Sequence, residues 1–201
     1  MRRMSFSNRI RQLSRLSRAY PLAVESDFES VKWTFPFLAS GTNTTPHYRT
    51  LVPNQTNVSM SFWFRVLDPS QTNDIGLGMM ATGATFNAFG LALSKQSSKY
   101  DLMLEYSTSS GTQTKQYDQF NFGDGQWHWV AITKNNLAFT VLIDGWMDTT
   151  VSGNDIVDTE AFHLGHSTVS NVDCYATGIE FCDIRIMSDP VTEFNLSEYW
   201  N

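Results

Sequence analysis

The chain has 201 residues, 41% hydrophobic and 17% charged, with 2 cysteines, which excludes wholesale disorder, a disulfide scaffold and a four-thiolate zinc site. At this length a single domain buries roughly 70% of the surface its unfolded form exposes, so its core needs no staples. The net charge of −6 hides an asymmetry: 6 of the 14 basic residues lie in the first 18 positions, which hold no acid, leaving 8 bases against 20 acids, or −12, in the remainder.

The first element is a basic arm, residues 1–24. In MRRMSFSNRIRQLSRLSRAY, helical spacing places Ile10, Leu13 and Leu16 on one face and Arg11, Arg15 and Arg18 on another, with Arg2, Arg3 and Arg9 completing the charge. The segment is rich in Arg and Ser and free of acids, as a mitochondrial presequence is, and it lacks the apolar centre of a secretory signal. Pro21 disfavours processing after Tyr20, so the arm is expected to stay on the chain. Three roles compete for it. It is a mitochondrial address or anchor, an arm held against nucleic acid or a coat subunit inside a virion, or a solvated tail. Its charge suits anionic lipid and nucleic-acid phosphate equally.

Residues 25–201 read as a string of short strands. Ser59 to Val66 alternates, with Met60, Phe62 and Phe64 on one face. Further strands are predicted at Gly90 to Ser94, Leu102 to Tyr106, Trp127 to Thr133, Ala138 to Ile143, Phe162 to Leu164 and Ile179 to Ile186. Turn signals separate them: Asp68-Pro69-Ser70, Gly123-Asp124-Gly125, Lys134-Asn135-Asn136, Asp144-Gly145 and Ser152-Gly153-Asn154. Ile75 to Leu93 is uncharged over 19 residues, but its glycines predict two strands and a turn instead of a membrane span. The expected fold is all-β, an antiparallel jelly-roll-like sandwich with Phe62, Phe64, Trp127, Trp129, Leu142 and Ile184 in its interior.

Four pieces, in order, carry a family resemblance. Gly125-Gln126-Trp127-His128-Trp129-Val130-Ala131-Ile132-Thr133, followed by Val141-Leu142-Ile143-Asp144-Gly145, resembles the strand–hairpin signature of the concanavalin A-like lectin/glucanase superfamily. It is closest in pattern to laminin G-like and pentraxin-like domains. Ser61-Phe62-Trp63-Phe64 resembles the early strand of those domains, and Phe162-His163-Leu164-Gly165 a late one. Tyr175 to Ile186 resembles their closing strand. The resemblance implies the sandwich; a fold shared so widely does not fix a function.

Chemistry is sparse. Glycosidases of the superfamily carry an E-x-D-x-E strand, and no such triplet occurs; the nearest acids, Glu180 and Asp183, have the wrong spacing. No phosphate-binding loop or nucleophile elbow is present. His163 and His166 point to opposite faces of a strand, and only a turn at Gly165 would bring them together. The resemblance also implies calcium on loop carboxylates, with Asp144 and Asp148 as the pair singled out among Asp68, Asp74, Asp155 and Asp158. Cys174 and Cys182 are expected as buried free thiols. Asn43, Asn54, Asn57 and Asn195 open N-glycosylation sequons, which without a secretory signal are read as chance. Tyr117 and Trp146 are the aromatic candidates for stacking on a sugar.

The resulting expectation is a non-enzymatic structural or accessory subunit of a larger assembly. It has no obligate cofactor, is located in the mitochondrion, and contacts other protein subunits through a lectin-like module. The alternative is a carbohydrate-binding component of a virus particle, a fibre, spike or coat protein.

Overall fold

The computed structural model describes residues 30–33, 37–39, 48–55, 57–82, 86–108, 110–135, 138–151, 159–169 and 172–187. The arm at 1–24 and the turn at Ser152-Gly153-Asn154 lie outside them. The described residues form fifteen strands: β1 Ser30–Trp33, β2 Phe37–Ala39, β3 Tyr48–Gln55, β4 Asn57–Val66 and β5 Ile75–Thr82. There follow β6 Phe86–Gln96, β7 Lys99–Thr108, β8 Gly111–Tyr117, β9 His128–Asn135 and β10 Ala138–Ile143. The last five are β11 Trp146–Val151, β12 Thr159–Leu164, β13 His166–Val169, β14 Val172–Tyr175 and β15 Ile179–Met187.

Two antiparallel sheets make the sandwich. The seven-stranded sheet runs β1-β15-β4-β9-β10-β11, with β2 also paired to β15; the six-stranded sheet runs β3-β12-β5-β6-β7-β8. One apolar cluster fills the space between them, drawing Phe62 and Phe64 from β4, Val130 and Ile132 from β9, Leu91 and Leu93 from β6, and Phe181 and Ile184 from β15. Period-two alternation accounts for this: each strand turns every second side chain inward. Phe62 meets Phe181 edge-on at 5.8 Å, and Phe89 meets Phe139 at 5.1 Å.

The uncharged stretch from Ile75 is the β5–β6 hairpin, paired from Ile75 opposite Leu93 to Thr82 opposite Phe86. Among the described residues no helix is long and apolar enough to cross a membrane. At Asp144-Gly145 both residues take positive φ, 49° and 89°, the two-residue turn whose twist matches the strands it joins. Trp127 departs from expectation. It precedes β9, on the outer side of the sheet, and is only partly buried beneath Arg65, whose guanidinium lies 5.0 Å from its ring.

A third unit was absent from the sequence expectations. Strands β13 and β14 form a short ribbon that leaves the six-stranded sheet at Gly165 and packs back across its outer face, over β5 and β6. Gly165 donates its N–H to the Leu77 carbonyl at 2.8 Å, and Ala176 donates to the Gly165 carbonyl at 2.8 Å. Gly76 makes the seat: a Cβ there would lie 2.3 Å from the Cys174 carbonyl oxygen and 2.7 Å from the Ser167 nitrogen. A glycine inside a strand marks such close backbone approach.

Candidate functional site

Three places gather the chemically active side chains. The first is the rim where β8 and β11, edge strands of the two sheets, face each other. Asp148 stands opposite core-facing Val141, so its carboxylate turns toward the sandwich. There its Oδ2 accepts from Lys115 Nζ at 2.6 Å and from the Tyr117 hydroxyl at 3.2 Å. Of the two aromatic sugar candidates, Tyr117 is buried, with its hydroxyl engaged by Asp148. Trp146 is the one at the surface. It is 40% exposed and rests edge-on against Tyr117 at 5.8 Å and Phe120 at 5.6 Å. Its neighbour Met147 is 63% exposed.

The second place is the tip of the β10 hairpin. Asp144 Oδ1 accepts the Trp129 N–H at 2.7 Å, while its Oδ2 lies 2.7 Å from His128 Nδ1. His128 Nε2 lies 3.0 Å from Asp124 Oδ1. Burial opposes charge on this imidazole, but the hydrogen bonds to Asp144 and Asp124, and then their charges, outweigh it and hold the pKa above the ordinary histidine value. Asp144 and Asp148 therefore do not make a calcium cradle: one carboxylate serves a histidine and a backbone amide, the other a lysine and a phenol. Asp68 and Asp74 are committed likewise, to Ser70 and to the Lys95 N–H, and Asp155 and Asp158 lie outside the described residues. Among the described residues no three His, Cys, Asp or Glu side chains converge on a metal position.

The third place lies under and beside the ribbon. Gly165 turns with φ 70°, and this turn, not strand alternation, decides where His163 and His166 point. Their rings stack at 5.6 Å with the two Nδ1 atoms 3.3 Å apart. His166 also lies flat on Tyr175 at 4.5 Å and meets Asp173 Oδ1 through Nε2 at 3.0 Å. On the sheet below, Asp101 and Glu105 are buried. Asp101 is held by Lys99 at 2.9 Å and Gln116 at 2.6 Å, and Glu105 accepts from the ribbon's Thr168 hydroxyl. Four residues apart along one strand, these acids are separated by roughly 13 Å, beyond the spacing of a glycosidase pair. Beside the ribbon opens a cleft of about 510 Å³ lined by Thr72, Asp74, Lys95, Asp173, Tyr175 and Thr177.

The two cysteines are free and sit on different layers, Cys174 in the ribbon and Cys182 on the outer side of the seven-stranded sheet. Burial pushes each thiol up to about 12. The arginines of the arm are outside the described residues, and none of the three places includes them. The ribbon and its histidine pair were missed by sequence reasoning, and Gly76 was the available signal.

Solved structures share this architecture. A heptameric SAP-like pentraxin from Limulus polyphemus superposes with a TM-score of 0.57 at 17% identity, covering 84% of this chain and 80% of that one. The LG4-5 domains of the mouse laminin alpha1 chain give 0.56 at 11% identity, covering 88% of this chain and 48% of that one. A polysaccharide lyase family 18 protein, aly-SJ02 r-CATD, gives 0.52 at 10% identity, with 85% and 91% covered. Identities this low speak for a common fold alone. No curated protein matches the chain in sequence. A family model does match, over residues 39–195, and with the sandwich laid out above it places the chain in the concanavalin A-like lectin/glucanases superfamily.

Proposed function

We propose that this chain is a non-catalytic accessory subunit of a larger assembly, its sandwich serving as the interaction module and its basic arm as the attachment. One observation carries the reading. At the tip of the β10–β11 hairpin Trp146 and Met147 stand together in solvent, bordered by the Lys115–Asp148 pair. An exposed Trp and Met with a polar border have the composition of a protein contact. The acids beneath the ribbon support the absence of catalysis, since each is already tied to a neighbour and too far from the other to act as a pair. The arm's composition supports a mitochondrial location.

Native purification through a C-terminal tag tests the assembly role. Partner subunits should copurify, and Trp146→Ala with Met147→Ser should lose them while the sandwich stays folded. A chain that purifies alone under native conditions would refute the role. Fusing Met1 to Val24 to a fluorescent protein tests the location, which a diffuse reporter would overturn.

The surface indole of Trp146 also favours a second reading, a carbohydrate-binding module such as a virus-particle component would use. A glycan array with and without calcium separates the two: retention of a defined glycan, lost in Trp146→Ala, would favour sugar binding.

A further inference from the structure

The seven-stranded sheet carries a second apolar layer on its outer face. Alternation turns Trp63, Trp129, Leu142 and Cys182 away from the core that Phe62, Val130, Val141 and Phe181 fill. The register sets Cys182 opposite Trp63 and Trp63 opposite Trp129 in one row. These outward side chains are nevertheless only 5% (Trp63), 2% (Trp129), 8% (Leu142) and 3% (Cys182) exposed. An indole lying on an open sheet keeps one ring face in water, so such values require a covering layer. The described strands of this sheet lie within it, and the ribbon packs on the other sheet. Arg65 and Trp127 flank one end only. The cover comes from the rest of the chain.

We propose that the N-terminal arm is this cover, with Ile10, Leu13 and Leu16 laid on Trp63, Trp129 and Leu142 and with Arg11, Arg15 and Arg18 turned outward. The arm reaches. It leads into β1 at Ser30, three strands from β9 in the same sheet. Three strand spacings and four residues along the strand come to roughly 20 Å, and the nine residues 21–29, extended, span about 30 Å. It also fits, because a helical Ile10 to Leu16 is about 9 Å long and the Cys182–Trp63–Trp129 row is about 10 Å wide. Charge chooses between the two segments that flank this sheet. Residues 188–201, which follow β15, hold 3 acids and no base, whereas the first 18 residues hold 6 bases and no acid. Everything after residue 18 sums to −12, so the body attracts the arm and repels the other segment. The docking stands apart from the assembly role and deepens it: with its apolar face on its own sheet, the arm presents an arginine ridge to a partner.

Cys182 reports the cover directly. In the isolated full-length chain with Cys174→Ser, the rate of maleimide labelling measures access to this face. Changing Ile10, Leu13 and Leu16 together to Asn should speed labelling by about tenfold or more, because it opens a closed site without touching a strand. In the Cys174-containing chain, Cys174 should stay slow, showing that the sandwich is intact. The comparison variant is Phe194→Asn with Leu196→Asn. No acceleration in the arm variant, or acceleration in the comparison variant equal to or greater than it, would overturn the proposal. Because no partner is present, either result leaves the copurification test of the assembly role unaffected.

Discussion

Replacing Gly76 by Ala tests whether the ribbon is seated as described. The added methyl would lie 2.3 Å from the Cys174 carbonyl oxygen, 2.7 Å from the Ser167 nitrogen and 2.9 Å from the His166 carbonyl carbon. The first of these is about 1 Å inside ordinary contact, and all three are backbone atoms that no rotamer change can withdraw. Overpacking of this kind costs typically 1–3 kcal/mol, and three rigid neighbours put the expectation at about 2–3 kcal/mol. In a domain of this size each kcal/mol lowers Tm by about 2–4 °C, so thermal unfolding should shift down by about 4–12 °C. If the ribbon instead lifts off its seat, part of that loss is relieved, but the amides of Gly165 and Ala176 lose their protection and Cys174 becomes reactive. Calorimetry with hydrogen exchange reads both routes. A G76A chain with unchanged Tm, unchanged ribbon exchange and an unreactive Cys174 would refute the argument.

The His128 clamp gives stability a pH dependence. The folded pKa is raised, so the stabilisation is complete below the unfolded value of about 6.5 and is lost as pH rises through the folded one. Urea melts across that window should show a falling slope that His128→Asn removes; equal slopes in the two proteins would contradict this. Trp129→Ala should cost about 3–5 kcal/mol, as for any truncated buried aromatic. Trp127→Ala should cost well under half of that, since it gives up mainly a half-buried ring and an Arg65 contact of about 0.5–1 kcal/mol. Equal urea midpoints for the two variants would show that Trp127 belongs to the interior after all.

Strands β4, β9, β10 and β15 are legible in the sequence because each sits at or near the middle of a sheet and must alternate strictly to serve a core on one side. The edge strand β8, GTQTKQY, buries only Tyr117 and is a strand because β7 pairs with it along its whole length. Nothing in its own composition says so. The positions of His163 and His166 depend on one backbone torsion at Gly165, which spacing does not encode. Asp144 and Asp148 read as loop oxygens available to calcium until the fold brings His128 and Lys115 to them, from residues 16 and 33 positions away. Tyr117 fails as a surface aromatic for a similar reason: pairing opposite core-facing Leu102 turns it inward.

The order of strands in the larger sheet bears on how the chain folds. Strands β1 and β4 are both paired to β15, which lies between them, and the Arg65–Glu180 ion pair bridges 115 residues. During synthesis β4 therefore has one edge unpaired until the Ile179–Met187 segment leaves the ribosome. Its outward Trp63 and inward Phe62 and Phe64 are all apolar over that interval. Such a topology folds late and slowly, and it leaves a sticky strand edge for chaperones to guard. Truncations that remove β15 should consequently yield an aggregating chain, not a smaller sandwich.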